Sequence, residues 1–121
     1  METYMKKSTS LLLSAIVALG MLSSTASAEI KKGQKGYLKT CKKCHGNGTK
    51  GAAMKTQDEW TALFENNGAL IIKTHEDIAN AKEQKKASKF FHSKKFKKLA
   101  PHLKDFLYQY GSDSGNVPSC G

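Results

Sequence analysis

The chain holds 121 residues, with 20 basic side chains against 10 acidic ones and a formal net charge of +10 at pH 7. Every basic residue is lysine and none is arginine, which argues against nucleic-acid recognition, because bidentate contacts to bases and phosphates favour the guanidinium fork. The length fits one small domain and excludes a two-domain enzyme, and the charge points to acidic partner surfaces.

Residues 1–28 have the form of a secretory signal. Lys6 and Lys7 supply the positive start, Leu11 to Leu22 is apolar, and Ala26-Ser27-Ala28 is a small-x-small cleavage pattern before Glu29. The apolar stretch is well short of the roughly 20 residues that a membrane span needs, so any membrane contact is expected to be peripheral. The reading places the protein in the periplasm, as one domain over residues 29–121. Removal of Glu2, Lys6 and Lys7 with the signal leaves 18 lysines against 9 acids, a net of +9. An exported chain meets an oxidising compartment, where neighbouring thiols oxidise unless other chemistry occupies them.

The remaining chain reads as all-α, with about four short helices. A first helix is expected over Gly33 to Cys44, with Tyr37, Leu38 and Cys41 on one side. Thr56-Gln57-Asp58-Glu59 is a capping-box pattern opening a second, with Trp60, Leu63 and Phe64 on one face and Asn67-Gly68 as its stop. Leu70-Ile71-Ile72 is the one β-like run and is too short to build a sheet. Thr74-His75-Glu76-Asp77 has the form of a third helix start, running toward Phe90 and Phe91. The last helix places Pro101 in its first turn, Leu99, Leu103, Phe106, Leu107 and Tyr110 on one face, and Gly111 at its end. Residues 112–121 form an irregular tail. Few large aliphatics make the core thin, and small domains of this kind commonly add a disulfide, a metal or a cofactor.

Cys41-Lys42-Lys43-Cys44-His45 is a C-x-x-C-H sequence, the attachment pattern of c-type haem. Two thiols three residues apart on a helical turn can each add across a vinyl group, and the following imidazole can bind iron from the proximal side. Three other readings compete. A thiol redox pair wants a βαβ context, a zinc site wants a second ligand pair, and a disulfide between Cys41 and Cys44 leaves His45 unexplained.

Gly33-x-x-Gly36-Tyr37-x-x-x-Cys41-x-x-Cys44-His45-Gly46 resembles the opening of small class I monohaem cytochromes c. The resemblance implies a fold of helices wrapped round one covalent haem c, with a first helix leading into the motif. Leu99 to Tyr110 resembles the helix that closes such a fold. The chain departs from the family where the second axial ligand is due, since no methionine precedes the last helix. Four candidates remain: His75, which the reading favours, then Met54, His102 and His92; an open iron is the fifth possibility. Met54 lies nine residues after His45, close enough to require a tight wrap round the haem edge. Methionine with histidine raises the reduction potential, two histidines lower it, and an open iron permits ligand binding.

The expected function is single-electron transfer between redox partners, without enzyme activity. The alternatives are an open-iron haem protein that binds gas or reduces peroxide, and a haem subunit of a larger oxidoreductase. Lysines between Lys31 and Lys43, Lys82 and Lys89, and Lys94 and Lys98 form a surface suited to acidic redox proteins. Cys120 is left over once Cys41 and Cys44 are used, and no role is assigned to it.

Overall fold

The computed structural model describes residues 26–119. Most of the expected signal, and Cys120 at the other end, lie outside the described residues. The described chain is all-α and contains no strand. Helix α1 covers residues 26–40, α2 Lys42–His45, α3 Gly48–Ala52, α4 Gln57–Thr74, α5 Ala81–Phe91 and α6 Lys94–Gln109. None of the helices searched is long and apolar enough to cross a membrane.

Helix α6 organises the rest. Its buried residues Phe96, Leu103, Phe106 and Leu107 recur along one stripe, as the 3.6-residue period requires. That stripe packs mainly against α4 and also meets α3 and α5. Tyr37, Ala52 and Trp60 complete the buried core. Full burial of a phenylalanine contributes roughly 1.5–3 kcal/mol, so Phe96 and Phe106, the largest fully buried side chains, carry much of this small interior. The Trp60 indole N–H donates to the Ala52 carbonyl at 2.8 Å and ties α4 to α3.

Helix α1 crosses α6 at very short range. A Cβ on Gly33 would collide with the backbone carbonyl of His102 and with Phe106, and one on Gly36 would collide with the Leu99 side chain. The absence of side chains at these two positions lets the helices approach. Tyr37, one turn further, then packs against Phe106 with ring centroids 5.7 Å apart.

Several boundaries differ from the sequence expectation for local reasons. The first helix is interrupted at Cys41, where α2 begins a separate turn. Asn47 opens the unexpected α3 by accepting from the Lys50 N–H at 2.9 Å. The capping box at α4 is complete, with Thr56 and Glu59 each accepting from the other's backbone. That reciprocal bond holds the Glu59 carboxyl below its usual range.

Asn66, Asn67 and Gly68 adopt left-handed angles and break α4, as the Asn67-Gly68 stop implied. The chain then turns helical again through Leu70, Ile71 and Ile72, so the β-like run is helix. The expected start at Thr74 is not one. The Thr74 hydroxyl bonds back to the Ile71 carbonyl at 2.8 Å and cannot cap a following helix, and His75 closes α4 instead. Asn80 caps α5. Ser93, accepting from the Phe96 N–H at 3.2 Å, caps α6 well before Pro101. Pro101 is therefore inside α6 rather than in its first turn. It stands on the exposed side, where the carbonyl that its ring leaves without a donor can be hydrated.

The described part of the tail, residues 112–119, lacks helix, as expected, yet it is tied down. Ser112 donates to the Lys55 carbonyl at 3.0 Å, Asp113 accepts from the Gln57 N–H at 2.8 Å, and Gln34 donates to the Ser119 carbonyl at 2.9 Å.

The helix crossing makes a differential prediction. Alanine favours a helix over glycine by about 1 kcal/mol, but overpacking against an immovable neighbour costs roughly 1–3 kcal/mol. Gly33→Ala, which meets backbone, should lower stability. Gly36→Ala, which meets only the Leu99 side chain, should be close to neutral. Chemical denaturation of the two variants measures the difference.

Candidate functional site

The C-x-x-C-H residues sit where α1 ends. Cys41 stays in register with α1, its N–H donating to the Tyr37 carbonyl at 2.8 Å. The His45 N–H donates to the Cys41 carbonyl at 3.1 Å, which closes the turn carrying both cysteines. Cys41 and Cys44 are free thiols, the first half-buried and the second exposed. Burial, above all, pushes the Cys41 thiol up, with Cys44 adding to the shift and a contact from the Thr40 hydroxyl opposing it.

The loop after His45 needs Gly46, whose φ of 80° and ψ of −165° lie in a region that side-chain-bearing residues avoid. Tyr37 holds this loop from below. Its hydroxyl lies 2.9 Å from the Gly46 carbonyl and 3.2 Å from that of Asn47. Burial raises the Tyr37 hydroxyl to about 12, so it remains a donor throughout the neutral range.

His75 comes to this site from the end of α4. Its ring lies edge-on to His45, with centroids 5.9 Å apart and an interplanar angle of 82°. On its other side Phe91 packs at 4.5 Å. Phe91 in turn contacts Phe90 at 5.3 Å and Phe96 at 5.0 Å, so His75 rests on an aromatic cluster joined to the core. The His75 Nδ1 lies 2.7 Å from the Ile71 carbonyl. A carbonyl only accepts, so Nδ1 carries the proton and Nε2 keeps its lone pair. Backbone acceptance from the second ring nitrogen is the usual support of a metal-ligating histidine. Burial, and then His75, hold His45 below the usual histidine range.

These donors fit a haem of c type. Two thiols three residues apart, an adjacent imidazole and a second, backbone-oriented imidazole are the groups that such a cofactor uses. His45 and His75 would be the residues that hold its iron, their ring centroids lying 5.9 Å apart.

The other expected ligands lie elsewhere. Met54 is 49% exposed in the turn after α3. His92 is exposed and caps α5 through its backbone. His102 faces the Glu29 carboxylate on the α1–α6 side. Phe91, Ile71 and Tyr37 were not anticipated as part of the site. Tyr37 had a local signal, one helical turn before Cys41; Phe91 had none, since it meets His75 only through the packing of α5. Lys43 reaches Glu83 at 3.3 Å and links the motif turn to α5.

Comparison with protein-family models, curated proteins and solved structures returned no match.

Tyr37→Phe should cost about 1 kcal/mol by leaving the Gly46 carbonyl without its buried donor. The folded hydroxyl ionises later than the unfolded one, so the wild-type advantage is full below pH 10 and shrinks as pH rises toward 12. Denaturation of both proteins across that range reads the sign.

Proposed function

We propose that the chain is a periplasmic electron-transfer protein of class I cytochrome c type, carrying one covalent haem c whose iron His45 and His75 would hold. The observation that carries this reading is the pairing of His75 with the histidine of the C-x-x-C-H motif across 5.9 Å. Cys41 and Cys44 would anchor the porphyrin through thioethers. Bound there, the haem supplies a one-electron ferrous–ferric couple.

The protein's own residues have separate tasks. Burial pushes the Cys41 thiol up, the opposite of the lowered thiol that a disulfide-exchange centre uses. The Ile71 carbonyl fixes the His75 tautomer. Phe91 packs against that ring at 4.5 Å and steadies it. Gly46 and Tyr37 set the loop that fixes His45.

Acidic redox proteins are the partners that the surface favours. Lys42 and Lys43 are exposed inside the motif. Lys32, Lys35, Lys39, Lys95 and Lys98 line a cleft of about 380 Å³ that ends at Thr40, beside Cys41. Such a field accelerates encounter and leaves the complex weak and salt-sensitive.

His75→Ala, matured with haem, tests the ligand assignment. The expected result is loss of the six-coordinate low-spin spectrum, ready binding of carbon monoxide by the reduced form, and a shifted potential. An unchanged low-spin spectrum and potential would mean that another residue binds the iron.

A further inference from the structure

Two lysine stripes face one another across the α1–α6 crossing. Lys32, Lys35 and Lys39 recur at i, i+3 and i+7 along α1, and Lys95 and Lys98 stand three residues apart on α6. Together they line a cleft of about 380 Å³ to which no acidic side chain contributes. All five are exposed, and among the described residues none is in an ion pair. Like charges three and four apart on a helix repel, so both stripes oppose their own helices and are left for a negative charge from outside. The basic face of α5 differs, because Glu83 there is within ion-pair distance of both Lys43 and Lys86. The floor of the cleft is apolar. Gly36 has no side chain, and the half-buried Leu99 side chain packs onto it.

We propose that this cleft is the docking groove for one acidic segment of a partner protein, in which carboxylates flank a single apolar side chain. The stripe on α1 is about 10 Å long, at roughly 1.5 Å of rise per residue. A small anion would reach only part of it, whereas an extended segment of three or four residues, at about 3.3 Å each, spans it. A flat anionic membrane would meet the lysine tips but not the Leu99 floor. Carboxylates of the segment face both stripes, and its apolar side chain rests on Leu99. That burial adds affinity and register, which exposed ion pairs supply poorly. One end of the cleft is closed by His102, already met by the Glu29 carboxylate. The other ends at Thr40, whose hydroxyl touches Cys41, so the occupant lies against the motif turn. That the partner is a redox protein rests on the function proposed above; the charge and shape of the segment do not.

The test titrates the protein, expressed with a c-type maturation system, with the synthetic peptide acetyl-Asp-Glu-Leu-Glu-Asp-amide at low salt and follows the heat. The expected result is one site per chain that weakens steeply with added sodium chloride. Lys35→Glu/Lys98→Glu, at exposed positions, should weaken binding at least about tenfold. Lys82→Glu/Lys89→Glu changes the net charge equally on α5 and should weaken it less than about threefold. Serine in place of the peptide's leucine should weaken it about fivefold. Equal loss in the two lysine pairs would overturn the proposal, as would equal binding of the serine peptide. Binding of phosphatidylglycerol vesicles with none of the peptide would overturn it too, and would assign the cleft to a membrane surface. Intact mass of the titrated sample reports haem separately. Cleft-dependent binding by a chain without haem would remove the redox reading alone, and a haem-loaded chain that fails to bind would remove the docking groove alone.

Discussion

The close passage of α1 over α6 is the constraint on which the structure depends. Gly33 has no side chain because the His102 carbonyl occupies the space that one would need. Once α1 lies this close, Tyr37 reaches Phe106, and its hydroxyl reaches the loop after His45. The motif turn is then a rigid continuation of a helix already locked to the core. The stripe of α6 that receives α1 at one end receives Phe90 and Phe91 at the other, through Phe96. His75 leans on Phe91, so the same helix positions both histidines from opposite sides.

Few residues sustain this arrangement. The buried core is Tyr37, Ala52, Trp60, Phe96, Leu103, Phe106 and Leu107, four of them aromatic. Covalent or metal-linked supports are common in domains with so little interior. The lysine excess has a related physical meaning. Most lysines stand on solvated faces and stabilise little through surface pairs such as Lys43–Glu83, so their effect lies in long-range steering.

What could be read from the sequence was what short-range chemistry decides. Thr56 and Glu59 satisfy each other within one turn, so their box was visible. The apolar face of α6 repeats with the helical period and could be read over its whole length. Starts that depend on a competing bond could not. Thr74 has the composition of a cap, but its hydroxyl is taken by Ile71, and Ser93 opens α6 ahead of the more conspicuous Pro101. The C-x-x-C-H residues were legible because their spacing is local. The partner of His45 was less so, because its approach depends on the left-handed break at Asn66 to Gly68 and on the docking of Phe91.

The central claim is that Cys41 and Cys44 hold a haem beside the paired histidines. Intact-mass spectrometry of the chain after co-expression with a c-type maturation system tests it most directly. The account predicts a gain of the mass of one haem, retained after denaturation and extraction, located on the peptide containing Cys41 and Cys44. A chain that passes through the same maturation with both thiols unmodified, or joined only to each other, would contradict it.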